Sequence, residues 1–484
     1  MVMGTFSSHY SLHKVIKSTL VRTSQLKQII LILVCIVYAN SLSGQKLTTS
    51  EIKQDFEIFR TALTKAHPGI YRYESKNTVD SIFQETEKGL EGPITQQQFY
   101  QILSPLIAFL HCGHTKLYPD NFDDENHPYY FETEYLFPLR LHFSDQRAFY
   151  VESYDQDVDI QEGTEIIEIN GKSVTDLITI LLKNIAADGR VLSSKYMDLN
   201  DEFPAFYANL IGSPKSFNLV LKDKRETFKR TISATSLIKI HNYENRHVEE
   251  SEPTFSLTYP EKQLALMRIK KFYPQHKGDN FKKFLKKSFK EINKKKVKKL
   301  IIDLRDNGGG KDRWGSLLFS YLTDQPYQYY ESLRIPTKTY SFKQYAELPK
   351  LYGLIKLLVQ KDPSGGYRWT RHKNLRIQKP QKQPFMGEVI VVVNGFSFSA
   401  ASEFASVAKA SGRVKIAGEE TGGAYGGNNS GLAFILSLPN SELLLEIPMV
   451  GVYMAVPPVQ PYDRGVLPNL ELDSSIQGII NAKN

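Results

Sequence analysis

Three serines lie at one predicted junction between a strand and a helix, in the segment NGFSFSAASEF of residues 394–404. The segment follows the apolar run VIVVV, which predicts a buried β-strand. Free backbone N–H groups at the start of a helix carry partial positive charge and stabilise a nearby oxyanion. One serine is enough to cap a helix, so a nucleophile among Ser397, Ser399 and Ser402 is a second interpretation. The residues alone leave both interpretations open.

The glycines near these serines match neither of two well-known catalytic loops. Ser397 has Gly395 before it but no glycine two residues after it, which excludes a nucleophile elbow. The segment DNGGGKD of residues 306–312 follows another apolar strand, but Lys311 precedes an aspartate rather than Ser or Thr, so it is not a phosphate loop. Its three glycines still expose backbone N–H groups, although an ordinary glycine-rich turn has the same composition.

A pair of histidines occurs in the segment HCGHT of residues 111–115. A zinc site needs further ligands, and none is close in the sequence, so we predict no metal. A general base needs a single histidine within reach of a hydroxyl group. An ordinary loop histidine is the alternative at this point.

A helix is predicted immediately before the HCGHT segment. Thr95 and Gln98 form a capping box, and an apolar face runs from Phe99 to Leu110. Gly113 is a typical residue just beyond a helix end. The histidines therefore follow the end of a helix directly.

The chain is predicted to be an α/β multidomain protein with three parts after its N-terminus. Residues 45–127 read as a helical region, and residues 128–234 as a small β-rich module with a hairpin turn at Asn170-Gly171. Residues 235–484 alternate strands and helices, which predicts a layered α/β core. Within this core, residues 327–383 are polar, aromatic and irregular, and we interpret them as an insertion or lid.

The length of the chain indicates more than one domain, and the distribution of its charge argues against nucleic-acid binding. The 484 residues exceed one ordinary core, and the net charge is +9. Many lysines fall within residues 270–299, where Phe281, Leu285, Phe289 and Ile292 recur at helical spacing. This pattern predicts an amphipathic helix with a solvated basic face, and no nucleic-acid motif accompanies it.

The N-terminus has the order of a secretory signal, which we place at residues 1–44. Basic residues precede the apolar run of residues 29–39, and small polar residues follow it. The run is too short to span a bilayer, so no stable membrane span is expected after cleavage near Gln45. We therefore predict a periplasmic or extracellular protein, with an uncleaved anchor as the alternative. Cys112 would be its one free thiol.

Several segments together resemble the C-terminal processing, or tail-specific, serine peptidase family. The core segments are LIIDLRDNGGG, VIVVVNGFSFSAASEFASVAKASGRVKIAGEETGG and DRGVLPNLEL. LTKAHPGIYRY and LIAFLHCGHTKL resemble the N-terminal region of bacterial members, and IQEGTEIIEINGKSV resembles the closing half of their PDZ-like domain. The resemblance implies a core related to crotonase and the Clp protease subunit. It also implies hydrolysis of peptide bonds near substrate C-termini, without a cofactor.

The resemblance also assigns roles to individual residues. Ser399 matches the nucleophile, and the N–H of Ala400 would donate to the oxyanion. A glycine of the DNGGG segment, one of Gly308, Gly309 and Gly310, would supply the second donor. The substrates would be proteins or peptides bound through their C-terminal tails.

The base departs from the commonest pattern of the family. Ala424 stands where many members have a lysine after GEETGG, and Lys415 does not match that position. A second branch, resembling the tricorn protease core, uses a histidine from the N-terminal region, and His114 matches it. Gly113 replaces a serine of that branch, so the group that orients the histidine is open. Three carboxylates are the alternatives for this group: Asp463, Glu446 and Glu419.

Two functions follow from these matches. The first is a secreted serine peptidase that uses Ser399 and His114. The second is a catalytically inactive carrier of an apolar ligand or peptide, since the core also resembles the repeats of the interphotoreceptor retinoid-binding protein. The missing lysine and the missing serine favour the carrier. The two matched residues and the glycine loop favour the peptidase, which is our prediction.

Overall fold

The computed structural model describes most of the chain beyond its N-terminus, in these ranges: 46–119, 131, 133–155, 157–247, 253–350, 352–459 and 461–471. The predicted signal peptide of residues 1–44 and the predicted cleavage near Gln45 lie outside the described residues. Within the described ranges, every helix is too short or too polar to cross a bilayer.

Three helices and a short strand open the described chain: α1 (Thr49–Ala66), α2 (Lys76–Lys88), α3 (Gln96–Phe109) and β1 (Lys116–Tyr118). The predicted capping box is confirmed, because Gln98 N–H donates to Thr95 Oγ1 and Thr95 N–H donates to Gln98 Oε1. Helix α3 ends at Phe109, so the HCGHT segment lies between this helix and β1 as predicted.

The β-rich module forms one antiparallel sheet and two helices: β2 (Leu139–Ser144), β3 (Arg147–Ser153), β4 (Glu165–Ile169), β5 (Lys172–Ser173), α4 (Val174–Leu182), α5 (Leu192–Leu210), β6 (Ser216–Lys222) and β7 (Thr227–Ser233). The strand order is β2-β3-β4-β6-β7, with β5 beside β4. Asn170 and Gly171 both have positive φ at the predicted turn. The module buries an apolar core of its own, drawn from residues 137–232.

The remaining chain alternates strands and helices, in this order: α6 (Leu237–His247), β8 (Phe255–Glu261), β9 (Leu264–Ile269), α7 (Phe281–Lys294), β10 (Lys299–Asp303), α8 (Asp312–Phe319), β11 (Tyr330–Ile335), β12 (Ala346–Glu347), α9 (Tyr352–Leu358), β13 (Val359–Lys361), β14 (Tyr367–Trp369), β15 (Glu388–Val393), α10 (Ala400–Ala410), β16 (Lys415–Gly418), β17 (Asn429–Ser437), β18 (Leu444–Met454) and β19 (Leu470–Glu471). Short 3₁₀ turns occur at Lys343–Tyr345 and Lys373–Leu375. The lysine-rich segment forms α7, with its predicted phenylalanine, leucine and isoleucine face buried.

Two sheets form the layered core. The first has the order β19-β16-β15-β10-β9-β8 and is parallel except for the pairing of β8 with β9. β10 and β15 are neighbours in it, with Ile302 opposite Val391. Because parallel neighbours end at the same edge, the loops after these two strands meet there. These loops are the DNGGG and NGFSFS segments.

The second sheet is antiparallel, with the order β12-β17-β18-β11-β14-β13, and β1 pairs with β18 beside this path. The strand after HCGHT therefore belongs to this second sheet, with Lys116 opposite Glu446. The described part of the predicted helical region, residues 46–119, packs against the core, since Phe56 and Phe99 share one apolar cluster with Val391 and Phe404.

The prediction that residues 327–383 are irregular is wrong. This segment contributes four strands to the second sheet, β11, β12, β13 and β14; β11 pairs with β18 and β12 with β17. Aromatic residues that looked unpatterned are packed: Tyr329 and Tyr330 are buried, and Tyr340 contacts Phe434. The segment forms a wall of the cavity described below.

Candidate active site

Ser399 occupies a strained position at the start of α10. Its φ of 52° and ψ of −124° lie in a region that non-glycine residues rarely adopt. Although Ser399 is the N-cap residue, its side chain makes no capping hydrogen bond. The hydroxyl group is therefore not used to stabilise the helix.

The other two serines of the segment build the turn. Ser397 Oγ accepts from Asn394 N–H at 3.0 Å and donates to the carbonyl of Leu304 at 2.8 Å. Ser402 Oγ lies in the first turn of α10 and donates to the carbonyl of Ser399 at 2.8 Å. Both hydroxyls are committed to backbone groups, so they hold Ser399 in place rather than compete with it.

The glycine loop approaches the serine from β10. A Cβ atom on Gly309 would lie 2.7 Å from Ser399 Cβ, and the φ of Gly309 is +100°. Only glycine allows this contact without movement. Its N–H donates to Asn307 Oδ1 at 2.9 Å, so the predicted role of Gly309 as an oxyanion donor is corrected. Gly310 lines the cavity beside Ala400.

The remaining predicted donors differ in position. Ala400 is the first residue of α10, where an N–H group has no acceptor within the helix. Gly308 has no heavy atom within 4 Å of an added Cβ, so nothing packs closely on that side of it. Ala400 and Gly310 both line the cavity together with Ser399, whereas Gly308 and Gly309 are not among its lining residues.

The loop that carries His114 is fixed on both sides. Gly113 N–H donates to Oδ1 of the buried Asp188 at 2.8 Å. Thr115 Oγ1 is 2.9 Å from Nε2 of the buried His67. β1 then anchors the loop to β18. The base position is therefore held by the β-rich module, the N-terminal helices and the core together.

The ring of His114 stacks on Phe398, with ring centroids 4.4 Å apart and an interplanar angle of 27°. A Cβ on Gly113 would lie 2.8 Å from Phe398 Cζ, which explains why glycine replaces the serine found in the resembled branch. Nδ1 of His114 has no hydrogen-bond partner among the described residues. An aromatic face, rather than a carboxylate, thus positions this imidazole.

The imidazole of His114 is neutral over the physiological range. Burial lowers its pKa to about 3, and the positive charge of Lys116 acts in the same direction. A neutral imidazole accepts a proton from a hydroxyl group. Burial thus keeps the ring in the form that a general base requires.

Ser399 and His114 line one cavity of about 550 Å³. Within the part of the chain that the structure describes, neither residue has a direct hydrogen bond to the other. Such a pair often tightens only when substrate is bound. The structure therefore brings the two predicted residues to one site without closing their contact.

The three carboxylates predicted to orient the histidine have other surroundings. Asp463 lies 3.3 Å from a guanidinium nitrogen of Arg190. Glu446 accepts from the hydroxyl of Tyr118 at 3.0 Å. Glu419 is fixed by its backbone, whose N–H donates to a strand carbonyl at 3.0 Å. Because Nδ1 of His114 has no hydrogen-bond partner among the described residues, none of the three carboxylates bonds to that nitrogen in this structure.

The position that holds a lysine in the commoner family pattern is occupied here by Ala424. Ala424 is buried, while Lys415 is exposed and lies 3.6 Å from Glu388. Neither residue is among those that line the cavity. A lysine base is therefore absent from the described lining of the site.

Sequence reasoning missed three residues of the site. Phe398 could have been noticed from its place beside the nucleophile, and Glu403 from its place one helical turn after it. Asp188 gave no signal, because it lies in a connection of the β-rich module. Glu403 is 2% exposed and lines the cavity.

The described residues hold no group of three His, Cys, Asp or Glu side chains placed for a metal ion. A serine at a strained helix start, free backbone donors and a neutral imidazole share one cavity on a layered α/β core. This fold and site define a serine-type hydrolase.

Residues 263–448 match the family model of peptidase family S41. This match confirms the predicted resemblance to the tail-specific peptidases, and with the solved structures described next it supports a serine-type peptidase. No curated protein sequence matches the chain.

Solved structures show the same fold over most of the chain. Mature CPAF is 15% identical, with a TM-score of 0.61, and the match covers 88% of this chain and 93% of that one. A CPAF mutant is 13% identical with a TM-score of 0.60 and the same coverage. Mature CPAF complexed with lactacystin is 14% identical with a TM-score of 0.58, covering 88% and 94%.

Proposed function

We propose that this peptidase hydrolyses peptide bonds with Ser399 as the nucleophile and His114 as the general base. One observation carries the proposal: Ser399 is held at a strained helix start with its hydroxyl unused, in the cavity that also holds the neutral ring of His114. A capping serine would have spent that hydroxyl on the helix.

The reaction follows the usual order of acyl transfer. Ser399 Oγ bonds to the carbonyl carbon while its proton passes to the imidazole, and the carbonyl oxygen becomes an oxyanion. The N–H groups of Ala400 and Gly310, two residues that line the cavity with the serine, would donate to that oxyanion. The imidazolium then gives its proton to the leaving amine as the C–N bond breaks.

Water completes the cycle on the resulting ester of Ser399. The neutral imidazole takes a proton from water, the hydroxide bonds to the acyl carbon, and the serine oxygen leaves and is reprotonated. Because Nδ1 has no partner among the described residues, the stack on Phe398 must hold the ring in both steps. No lysine acts as the general base in this scheme.

Recognition of C-terminal tails by the β-rich module is a finer part of the proposal. The β2 edge is covered by α5, because Phe143 N–H donates to Asn200 Oδ1 at 2.6 Å. The β7 edge, in contrast, carries exposed Lys229 and Arg230. A tail that adds a strand beside β7 would have basic groups near its carboxylate. Equal affinity for peptide acids and their amides would remove this part.

Secretion is also proposed, on the basic and apolar segments at the N-terminus. The mature chain would begin near Gln45 and act in the periplasm or outside the cell. N-terminal sequencing of protein from its native host tests this, and an intact apolar run of residues 29–39 would indicate an anchor instead.

Peptide hydrolysis by four purified variants tests the mechanism. Ser399→Ala and His114→Ala should each remove most turnover, and the double variant should lose no more than either single one, since the residues act as a unit. Lys415→Ala is the matched control, because this exposed lysine lies outside the cavity. Thermal melts check folding. Full turnover in folded His114→Ala would refute the base, and an inactive wild type across varied peptides would favour the carrier.

A further inference from the structure

The active-site cavity combines acidic and apolar groups in its lining. Ser399 and His114 line it together with Glu403, Asp312 and the ring of His372. The rest of the lining is mainly aliphatic and aromatic, formed by side chains of β11, α9, β14 and β18, among them: Leu333, Leu358, Trp369, Val450 and Val452. A side chain bound beside the serine thus shares one cavity with apolar walls and carboxylates.

Glu403 lies one turn along α10 from the nucleophile, a rise of about 6 Å. Its two oxygens accept from the hydroxyl of Tyr330 at 2.6 Å and from Asn428 Nδ2 at 3.0 Å. Each carboxylate oxygen has a second lone pair for another donor. Among the described residues, no lysine, arginine or histidine nitrogen lies within 4.0 Å of this carboxylate.

The second carboxylate is already better satisfied. Asp312 Oδ2 is 3.2 Å from His372 Nε2 and accepts from Asn374 Nδ2 at 3.1 Å. It also lies 3.2 Å from the hydroxyl of Tyr330, which links it to Glu403. Of the two carboxylates that line the cavity, Asp312 therefore has a histidine nitrogen beside it, and Glu403 has no cationic group within ion-pair distance among the described residues.

An uncompensated carboxylate in a buried position is costly, and a cation that reaches it removes much of that cost. Burial and the negative charges of Asp312 and Asp188 raise the pKa of Glu403 to about 7, although the hydrogen bonds from Tyr330 and Asn428 act in the opposite direction. A ligand cation would favour the ionised form.

We propose that this cavity binds the side chain of a lysine or arginine on the carbonyl side of the scissile bond, with Glu403 as the residue that selects it. The assignment rests on the proposed function, because the serine fixes where the bond lies. The aliphatic stem of a basic side chain is long enough to span one helical turn along the apolar walls. Its charged group then meets Glu403, beside the rings of Tyr330 and Trp369.

Fluorogenic peptides that differ only at this residue test the assignment, with lysine, arginine, norleucine and glutamate compared. Norleucine keeps the length of the lysine stem and lacks the amine. For the wild type at about pH 8, kcat/KM should be at least about tenfold higher for lysine than for norleucine. The preference should shrink toward about pH 6, as Glu403 becomes protonated.

Glu403→Gln keeps the shape and removes the charge, so the lysine and norleucine peptides should then differ by less than about threefold. Glu388→Gln is the control, since this exposed carboxylate lies outside the cavity and should leave the ratio unchanged. If Glu403→Gln does not fold, the wild-type ratio and its pH dependence still decide. Equal rates for lysine and norleucine, or a preference retained in folded Glu403→Gln, would overturn the assignment. A wild type that cleaves no peptide would overturn the proposed function, and this assignment with it.

Discussion

The contact between the glycine loop and the nucleophile makes Gly309→Ala a sharp test of the site geometry. The added Cβ would lie 2.7 Å from Ser399 Cβ and 2.9 Å from Ala400 N. Reaching an ordinary contact of 3.4 Å requires the two loops to separate by roughly 0.7 Å. The φ of +100° adds strain of about 1–3 kcal/mol for any side chain.

The separation of the loops and the backbone strain would both act at Ser399 and Ala400, which take part in the proposed reaction. A displacement near 1 Å costs about 100-fold in rate when it moves a catalytic group, so we expect kcat/KM of Gly309→Ala to fall about 100-fold. The free energy of unfolding should fall by roughly 1–3 kcal/mol, which leaves a domain of ordinary stability folded at 25 °C.

Gly308→Ala is the matched control, because no heavy atom lies within 4 Å of its added Cβ and its φ is not positive. Its kcat/KM should stay within about threefold of the wild type. The assay is hydrolysis of one fluorogenic peptide by all three proteins, with urea denaturation to compare stabilities. A folded Gly309→Ala protein with more than half of the wild-type kcat/KM would refute the close-contact reasoning.

Three further results follow from the site. Phe398→Ala removes the ring that stacks on His114, so kcat/KM should fall by about 10–100-fold; Phe398→Tyr should restore most of it, and an active alanine variant would contradict the positioning role. Since the pKa of His114 is lowered to about 3, protonation of this base should reduce kcat/KM only below about pH 5. If kcat/KM instead falls with an apparent pKa near 6.5, and this dependence disappears in folded His114→Ala, the burial of His114 would be contradicted. Burial also lowers the pKa of His67 to about 3, so the unfolded chain binds more protons than the folded one between about pH 3 and 6.5, and the free energy of unfolding decreases as the pH is lowered through that window. In urea titrations, His67→Gln should reduce the free energy of unfolding lost between pH 7 and pH 5 by about 2 kcal/mol. An unchanged loss would exclude this contribution.

The sequence predicted where the main residues of the site lie because both follow the ends of strongly patterned elements. Ser399 comes directly after a continuous apolar strand, and His114 follows a helix with a capping box. The parallel order of β10 and β15 then brings the glycine loop to the serine.

The contacts that position these residues were not predictable in the same way. The stack of Phe398 on His114 and the bond from Gly113 to Asp188 join segments that are distant in the chain. The strands of residues 327–383 are short, and their pairing with β18 depends on tertiary packing rather than on a local pattern. Glu403 looked like any polar residue on a helix, because its burial depends on that same segment.

The central claim is that Ser399 is a nucleophile activated by His114, and labelling with a fluorophosphonate probe tests it most directly. Such a probe reacts with activated serines, and mass spectrometry of the digested protein locates the modified residue. We predict one modified peptide that carries the adduct on Ser399, a much slower reaction in His114→Ala and no adduct in Ser399→Ala. An adduct on another serine, or no adduct on the folded wild-type protein, would contradict the account.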